Sequence, residues 1–141
     1  MFMLDIKDYS WWYWVATSLS LWTTMTATPE AYNVTMAIAV VQLVHFRLVK
    51  GSFSDLSVQI RLGFVSYLLL CLPENFQCLL WLPTIGSLAR VLFGYCLMGR
   101  MLLLLPFNRQ VKLSMKFVLD VFLTPPVKGS ILQGIPALKV M

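Results

Sequence analysis

CLLWLPTIGSLARVLFGYCLMGRMLLLL, residues 78–105, is a long apolar stretch that ends at Pro106. Two charged residues interrupt it, Arg90 near its middle and Arg100 near its end. A helix needs about 20 apolar residues, each adding about 1.5 Å of rise, to cross a bilayer. The stretch therefore predicts one membrane-spanning helix.

One face of this predicted helix carries Gly86, Arg90 and Gly94 at steps of four residues. Glycines on a shared face let a second helix approach closely, so we expect Gly86 and Gly94 to serve helix packing. An arginine inside a membrane needs polar partners. Gln42 is predicted to lie at a similar depth in another span, so it is the first candidate for an intramembrane polar contact with Arg90. The alternatives are an anionic-lipid or quinone-like head group and a transport role.

The composition of the whole chain is also typical of a membrane protein. Hydrophobic residues make up 59% of the chain and charged residues 12%, with a mean hydropathy of +0.77. A soluble domain has about 25% charged residues, so a polytopic membrane protein is the expected class. The net charge of +5 is not gathered into a dense basic run, which argues against nucleic-acid binding.

Three further apolar segments precede residues 78–105. They cover residues 10–28, 32–49 and 54–72, and turn signals separate them. The sequence thus predicts an all-α membrane protein with four transmembrane helices. For the third segment the alternative is a re-entrant or interfacial helix. Ser54 and Asp55 form its expected N-cap, and Gly51 is the expected C-cap of the second.

The first segment is unusually rich in hydroxyl side chains. Thr17, Ser20, Thr24 and Thr28 fall on one helical stripe. Hydroxyl groups within a membrane bond to their own helix or to a neighbour, so the stripe predicts a helix–helix contact. A polar lining for a permeation path is the alternative.

After Pro106 the sequence predicts an amphipathic helix at the membrane surface. Lys112, Lys116 and Asp120 line one face of residues 107–123, and apolar side chains line the other. Asn108 is the expected cap. Residues 124–141 lack periodicity and are expected to form an extended or mobile tail. The predicted units are residues 1–106, 107–123 and 124–141.

Basic residues set the predicted orientation. Apart from Arg90, every Lys and Arg falls on one side of a four-span arrangement, whereas Glu30 and Glu74 fall in turns on the other side. Because basic loops stay in the cytoplasm, both termini are expected to be cytoplasmic. The expected location is the bacterial inner (cytoplasmic) membrane; an organellar membrane fits the same charges.

Chemistry-bearing residues are sparse. His45 is the single histidine, so a haem held between helices would need a second chain, and a hydrogen-bonded histidine is the better interpretation. Cys71, Cys78 and Cys96 form no metal-ligand pattern, although Cys71 and Cys78 could form a disulfide. We recognise no catalytic motif and expect neither an enzyme nor a bound cofactor, apart from a lipid or quinone contact.

The function that fits these features best is a non-catalytic accessory or assembly subunit of a larger membrane complex. An electron-transport complex, respiratory or photosynthetic, is the expected host by analogy. Its partners would be other integral membrane subunits and lipids. One alternative is a small self-assembling transporter or channel, and another is a membrane protein that binds haem or quinone.

Overall fold

A computed structural model describes Leu4 and residues 6–109 and 111–127, and these residues contain helices but no strands. The six α-helices are α1 Tyr9–Thr26, α2 Ala31–Lys50, α3 Leu56–Leu70, α4 Trp81–Phe93, α5 Leu97–Leu103 and α6 Met115–Leu123. A 3₁₀ helix, Glu74–Leu80, leads directly into α4. The all-helical class is therefore confirmed.

Local capping residues mark the starts of α1 and α3 and the end of α2. Asp8 accepts a hydrogen bond from the Ser10 amide at the start of α1, and Asp55 accepts one from the Ser57 amide at the start of α3, both at 2.9 Å. Gly51 ends α2 with φ 70°, a left-handed conformation that favours glycine. The caps expected at Gly51 and Asp55 are confirmed.

The predicted single helix over residues 78–105 is wrong. Gly94, with φ 71°, ends α4, and the chain becomes helical again only at Leu97. The stretch is a broken helix because the left-handed residue takes Tyr95 and Cys96 out of the helical path. Hydropathy does not register this break, since apolar residues continue on both sides of it.

The helix predicted over 107–123 is also shorter than expected. Asn108 caps no helix; its side-chain amide donates to the Leu102 carbonyl at 2.9 Å and to Gln59 Oε1 at 2.5 Å. Ser114 caps α6 instead, accepting from the Phe117 amide at 3.2 Å. The predicted tail is described only as far as Val127, where it is not helical; residues 128–141 lie outside the described residues.

The helices pack as neighbours around a shared core. α1 lies between α2 and α4, α3 packs on α2, α5 packs on α3 and α4, and α6 packs on α5. Trp14 of α1 meets Phe64 of α3 edge to face, with ring centroids 5.3 Å apart. The fully buried centre of this core includes Leu21, Ala39, Val58 and Leu68.

Two helical stretches are long and apolar enough to cross a membrane. They are Ala31–Lys50 and Glu74–Phe93, each with 20 residues and a mean hydropathy of 1.4. Only 22% and 28% of these stretches are buried inside the protein, whereas the core helix of a soluble protein is mostly buried. Their exposed apolar side chains therefore suggest membrane insertion.

Candidate functional site

A cavity of about 310 Å³ lies where α1 and α3 begin and α2 and α4 end. Lys50, Arg61 and Arg90 line it, and Asp8 is the one carboxylate among its described lining residues. Antiparallel packing brings these four helix ends to the same end of the bundle, which is why the basic residues meet. We call this space the cationic cavity.

Arg61 is the most deeply placed of these basic residues, with 3% of its surface exposed. Its guanidinium donates to the Ser57 carbonyl at 2.8 Å and to the Ser10 hydroxyl at 2.7 Å. It also lies over the Phe46 ring, 3.2 Å from the centroid, a cation–π contact. Its buried Nε–H has no partner among the described residues.

Arg90 lies one turn before the end of α4 and is half-buried. Among the described residues its guanidinium has no hydrogen-bond partner, and it faces the cationic cavity on one side. Its other side faces a second space. Arg90 lies near the end of a helix and not in the middle of one, because α4 ends twelve residues earlier than the sequence pattern predicted.

The second space is a groove of about 410 Å³ between α3, α4 and α5, which we call the apolar groove. Phe64, Tyr67 and Leu70 form one wall, and Leu82 and Pro83 form part of another. Trp14, Arg90 and Cys96 line both the groove and the cationic cavity. The two spaces are thus adjacent, one charged and the other apolar.

The expected contact between Arg90 and Gln42 is not formed. Gln42 is fully buried in α2, and neither of its side-chain amide atoms has a hydrogen-bond partner among the described residues. α1 lies between α2 and α4, so the two side chains belong to helices that do not adjoin. The contact was predicted for an unbroken fourth helix, and the break after Gly94 removes that premise.

The two glycines of the predicted packing face have different surroundings. Gly86 lies in the wall of the apolar groove, and a Cβ added there would meet no described atom within 4 Å. No helix of the described chain therefore packs closely against Gly86. Gly94 ends α4 in a left-handed conformation, so the continuous face Gly86–Arg90–Gly94 does not exist.

The hydroxyl groups of the α1 stripe form hydrogen bonds within the chain. Thr17 is fully buried and donates to the Tyr13 carbonyl at 2.8 Å, while Thr24 donates to the Ser20 carbonyl at 2.9 Å. The Ser20 and Thr35 hydroxyls bond across the α1–α2 contact at 2.6 Å. Ser20 thus joins two helices, and Thr17 and Thr24 bond back to their own helix.

His45 is bonded within an aromatic cluster. Its Nδ1 lies 2.7 Å from the Tyr13 hydroxyl, and its ring stacks on Tyr9 with centroids 5.6 Å apart. His45 therefore bonds through Nδ1, as the hydrogen-bonded interpretation expects, and the sequence holds no second histidine that could complete a haem site between helices.

The cysteines are separate thiols. Cys71 and Cys96 are buried and Cys78 is exposed, with no disulfide joining any of them. Among the described residues, no group of three or more His, Cys, Asp or Glu side chains could hold a metal ion.

Arg61 was not predicted as a site residue, because it was counted only among the basic residues that set the orientation. The signal was available, since Val58, Arg61, Val65 and Leu68 recur at helical spacing and all four are buried. An arginine on the apolar face of an otherwise apolar helix marks a special environment. Lys50 was treated only as a topology marker, and no sequence signal placed it beside Arg90.

Comparison of the chain with protein-family models, with curated proteins and with solved structures gave no match.

Proposed function

We propose that this chain is an integral membrane protein with four spans and both ends in the cytoplasm. The gathering of Lys50, Arg61 and Arg90 at one end of the bundle supports this orientation. Glu30, in the turn before α2, and Glu74, the first residue of the 3₁₀ helix, lie at the opposite end. α3 has 15 helical residues, so its span would include the flanking turns. A bacterial inner membrane is the proposed location.

We further propose that the chain is a non-catalytic accessory or assembly subunit of a larger membrane complex. The observation that carries this proposal is the outer face of α6. Phe117 and Val121 bury one side of the helix against the bundle. Met115, Leu119 and Leu123 leave the other side as an apolar strip, with 75%, 49% and 75% of their surfaces exposed.

Specific bonds hold α6 in this position. The Tyr95 hydroxyl donates to the Phe122 carbonyl at 3.1 Å, and the buried Arg100 guanidinium donates to the Val121 carbonyl. Arg100 also lies over the Tyr95 ring, 4.3 Å from its centroid. A helix anchored in this way presents its apolar strip in a fixed orientation, as a contact with a second subunit requires.

An electron-transport complex remains the proposed host class, by analogy with other small polytopic subunits. The transporter hypothesis has less support, because the hydroxyl stripe that would line a path is bonded within the chain. The haem hypothesis has less support because the chain has a single histidine, whereas a haem held between helices usually needs two.

Photo-crosslinking in intact membranes tests the subunit proposal. A photoreactive residue in place of Leu119 should give a discrete crosslink to another protein, and that protein should co-purify in mild detergent. The same residue in place of Val41, an exposed side chain on α2, is the matched control and should give mainly lipid adducts. Lipid adducts alone at position 119 would contradict the proposal.

A further inference from the structure

The cationic cavity and the apolar groove have opposite character and share three lining residues, Trp14, Arg90 and Cys96. We propose that together they form one binding site for an anionic phospholipid. Its phosphate head group would occupy the cationic cavity, and one acyl chain would occupy the apolar groove. The inference rests on the proposed placement in a membrane and is independent of the subunit role.

Arg61 supplies the first argument for an anion. Its charge is almost completely buried, and its hydrogen bonds within the described chain go to two neutral oxygens, the Ser57 carbonyl and the Ser10 hydroxyl. A buried cation is costly unless an opposite charge and further hydrogen bonds compensate it. The Nε–H is a buried donor without a described partner, so the described chain compensates neither the charge of this guanidinium nor all of its donors.

Charge supplies the second argument. Lys50, Arg61 and Arg90 contribute three positive charges to the lining, against one carboxylate from Asp8. One oxygen of that carboxylate already accepts from the Ser10 amide as the cap of α1. Basic pockets between helices near the cytoplasmic surface are the places where anionic lipid head groups bind.

The groove supplies the third argument, because a free anion would leave it empty, whereas the acyl chain of a lipid would fill it. Its walls are almost wholly apolar, from Phe64 and Leu70 to Leu82 and Met101. Space is open beside Gly86, where no described atom lies within 4 Å of an added Cβ. A chain of methylene groups would fill this space and remove apolar surface from water or from loosely packed lipid.

The break between α4 and α5 lies at the junction of the two spaces. Cys96, the N-cap of α5, lines both of them. Non-helical backbone at membrane depth is tolerated where it is buried in protein or lines a polar cavity. The non-helical backbone of the break is thus tolerated because it lies beside the cationic cavity.

Lipid retention by the purified full chain tests the site. The protein is reconstituted with phosphatidylcholine and a minor fraction of phosphatidylglycerol, then re-extracted, and native mass spectrometry counts the lipids that stay bound. The site predicts one strongly retained phosphatidylglycerol per chain. Arg90→Gln should weaken retention about fivefold, the contribution of one basic residue at a membrane surface.

Gly86→Leu tests the groove. The Cβ of the new side chain meets no atom outside its own helix within 4 Å, and the side chain begins in the wall of the apolar groove. It should therefore occupy the space of the acyl chain and lower retention at least as much as Arg90→Gln. Arg47→Gln is the control for charge, since Arg47 lies over Phe53 and is not part of the cavity lining. Ala37→Leu, at an exposed position of α2, is the control for size. Both controls should retain lipid like the wild type.

Inorganic phosphate distinguishes a lipid from a free anion, and it needs no variant. At millimolar concentration it should leave the lipid bound to the wild-type protein, because the groove contributes to affinity. Displacement of the lipid by phosphate, or loss in Arg90→Gln without loss in Gly86→Leu, would overturn the proposal in favour of a free-anion site. Equal retention of phosphatidylcholine and phosphatidylglycerol would overturn it entirely. A missing partner in the crosslinking experiment would not affect any of these results.

Discussion

Gln42 and Arg61 are both buried polar side chains with unpaired atoms, yet their surroundings differ. Gln42 is enclosed in the helix contacts of α2 and lines neither the cationic cavity nor the apolar groove. Arg61 lines the cationic cavity, where a ligand could reach it. An unsatisfied buried amide costs about 1–3 kcal/mol, so Gln42 is a weak point of the core.

Gln42→Met should therefore raise the stability of the protein, by about 1–2 kcal/mol, because it removes two unpaired polar atoms at nearly constant volume. Thermal unfolding of the purified protein in detergent measures the effect. Gln59→Met is the matched control: Gln59 accepts a hydrogen bond from Asn108 at 2.5 Å, so its loss should destabilise by about 1 kcal/mol. A lower unfolding temperature for Gln42→Met would mean that its amide has a partner.

Single residues were predicted from the sequence with uneven success. Arg90 was predicted to lie in the middle of a long helix, whereas it lies three residues before the end of α4. The expected contact between Arg90 and Gln42 is not formed. Arg61 was missed although its buried periodicity is visible, since a charge near the start of a span was assigned to topology alone.

Glycine ends two helices in the same way. Gly51 and Gly94 both adopt φ near 70°, and both follow a last turn that contains a basic residue. The sequence rule that correctly identified Gly51 as a C-cap applies equally at Gly94. It was not applied there because polar residues follow Gly51, whereas apolar residues follow Gly94. The element boundary was thus predictable from local chemistry, and hydropathy concealed it.

Alanine substitutions at two glycines should have opposite effects. Gly94→Ala places a Cβ on a left-handed residue and should destabilise by about 1–2 kcal/mol. Gly86→Ala lies within α4, has free space around it and should stabilise by about 0.5–1 kcal/mol. Thermal unfolding of the two variants in one detergent provides the comparison. Equal effects at both sites would argue for a continuous helix across Gly94.

The clustering of basic residues at one end of the bundle depends on the fold of the whole molecule. Lys50, Arg61 and Arg90 are at least eleven residues apart in sequence, and only the antiparallel arrangement of four helix ends brings them into one cavity. The sequence did predict that basic residues share one side. It could not predict that three of them would line a common space next to an apolar groove, because that depends on the break after Gly94 and on the tilt of the packed helices.

The basic end of the bundle should face the cytoplasm. In a cysteine-free background, cysteines introduced at Glu30 and Asn75 should react with a membrane-impermeant reagent in intact cells, because both residues are exposed in the connections at the acidic end. A cysteine at Ser52, in the exposed connection between α2 and α3 at the basic end, should react only after permeabilisation. The reason is that basic segments are retained in the cytoplasm.

Position 52 also separates the four-span proposal from its alternatives. Labelling at positions 30 and 75 but not at 52 requires α2 and α3 each to cross the membrane, since α2 connects positions 30 and 52 and α3 connects positions 52 and 75. Labelling at position 52 in intact cells would place the cationic cavity outside the cytoplasm and contradict the proposed topology. Labelling at 30 but not at 75 would mean that α3, whose 15 residues are short for a span, enters the membrane without crossing it.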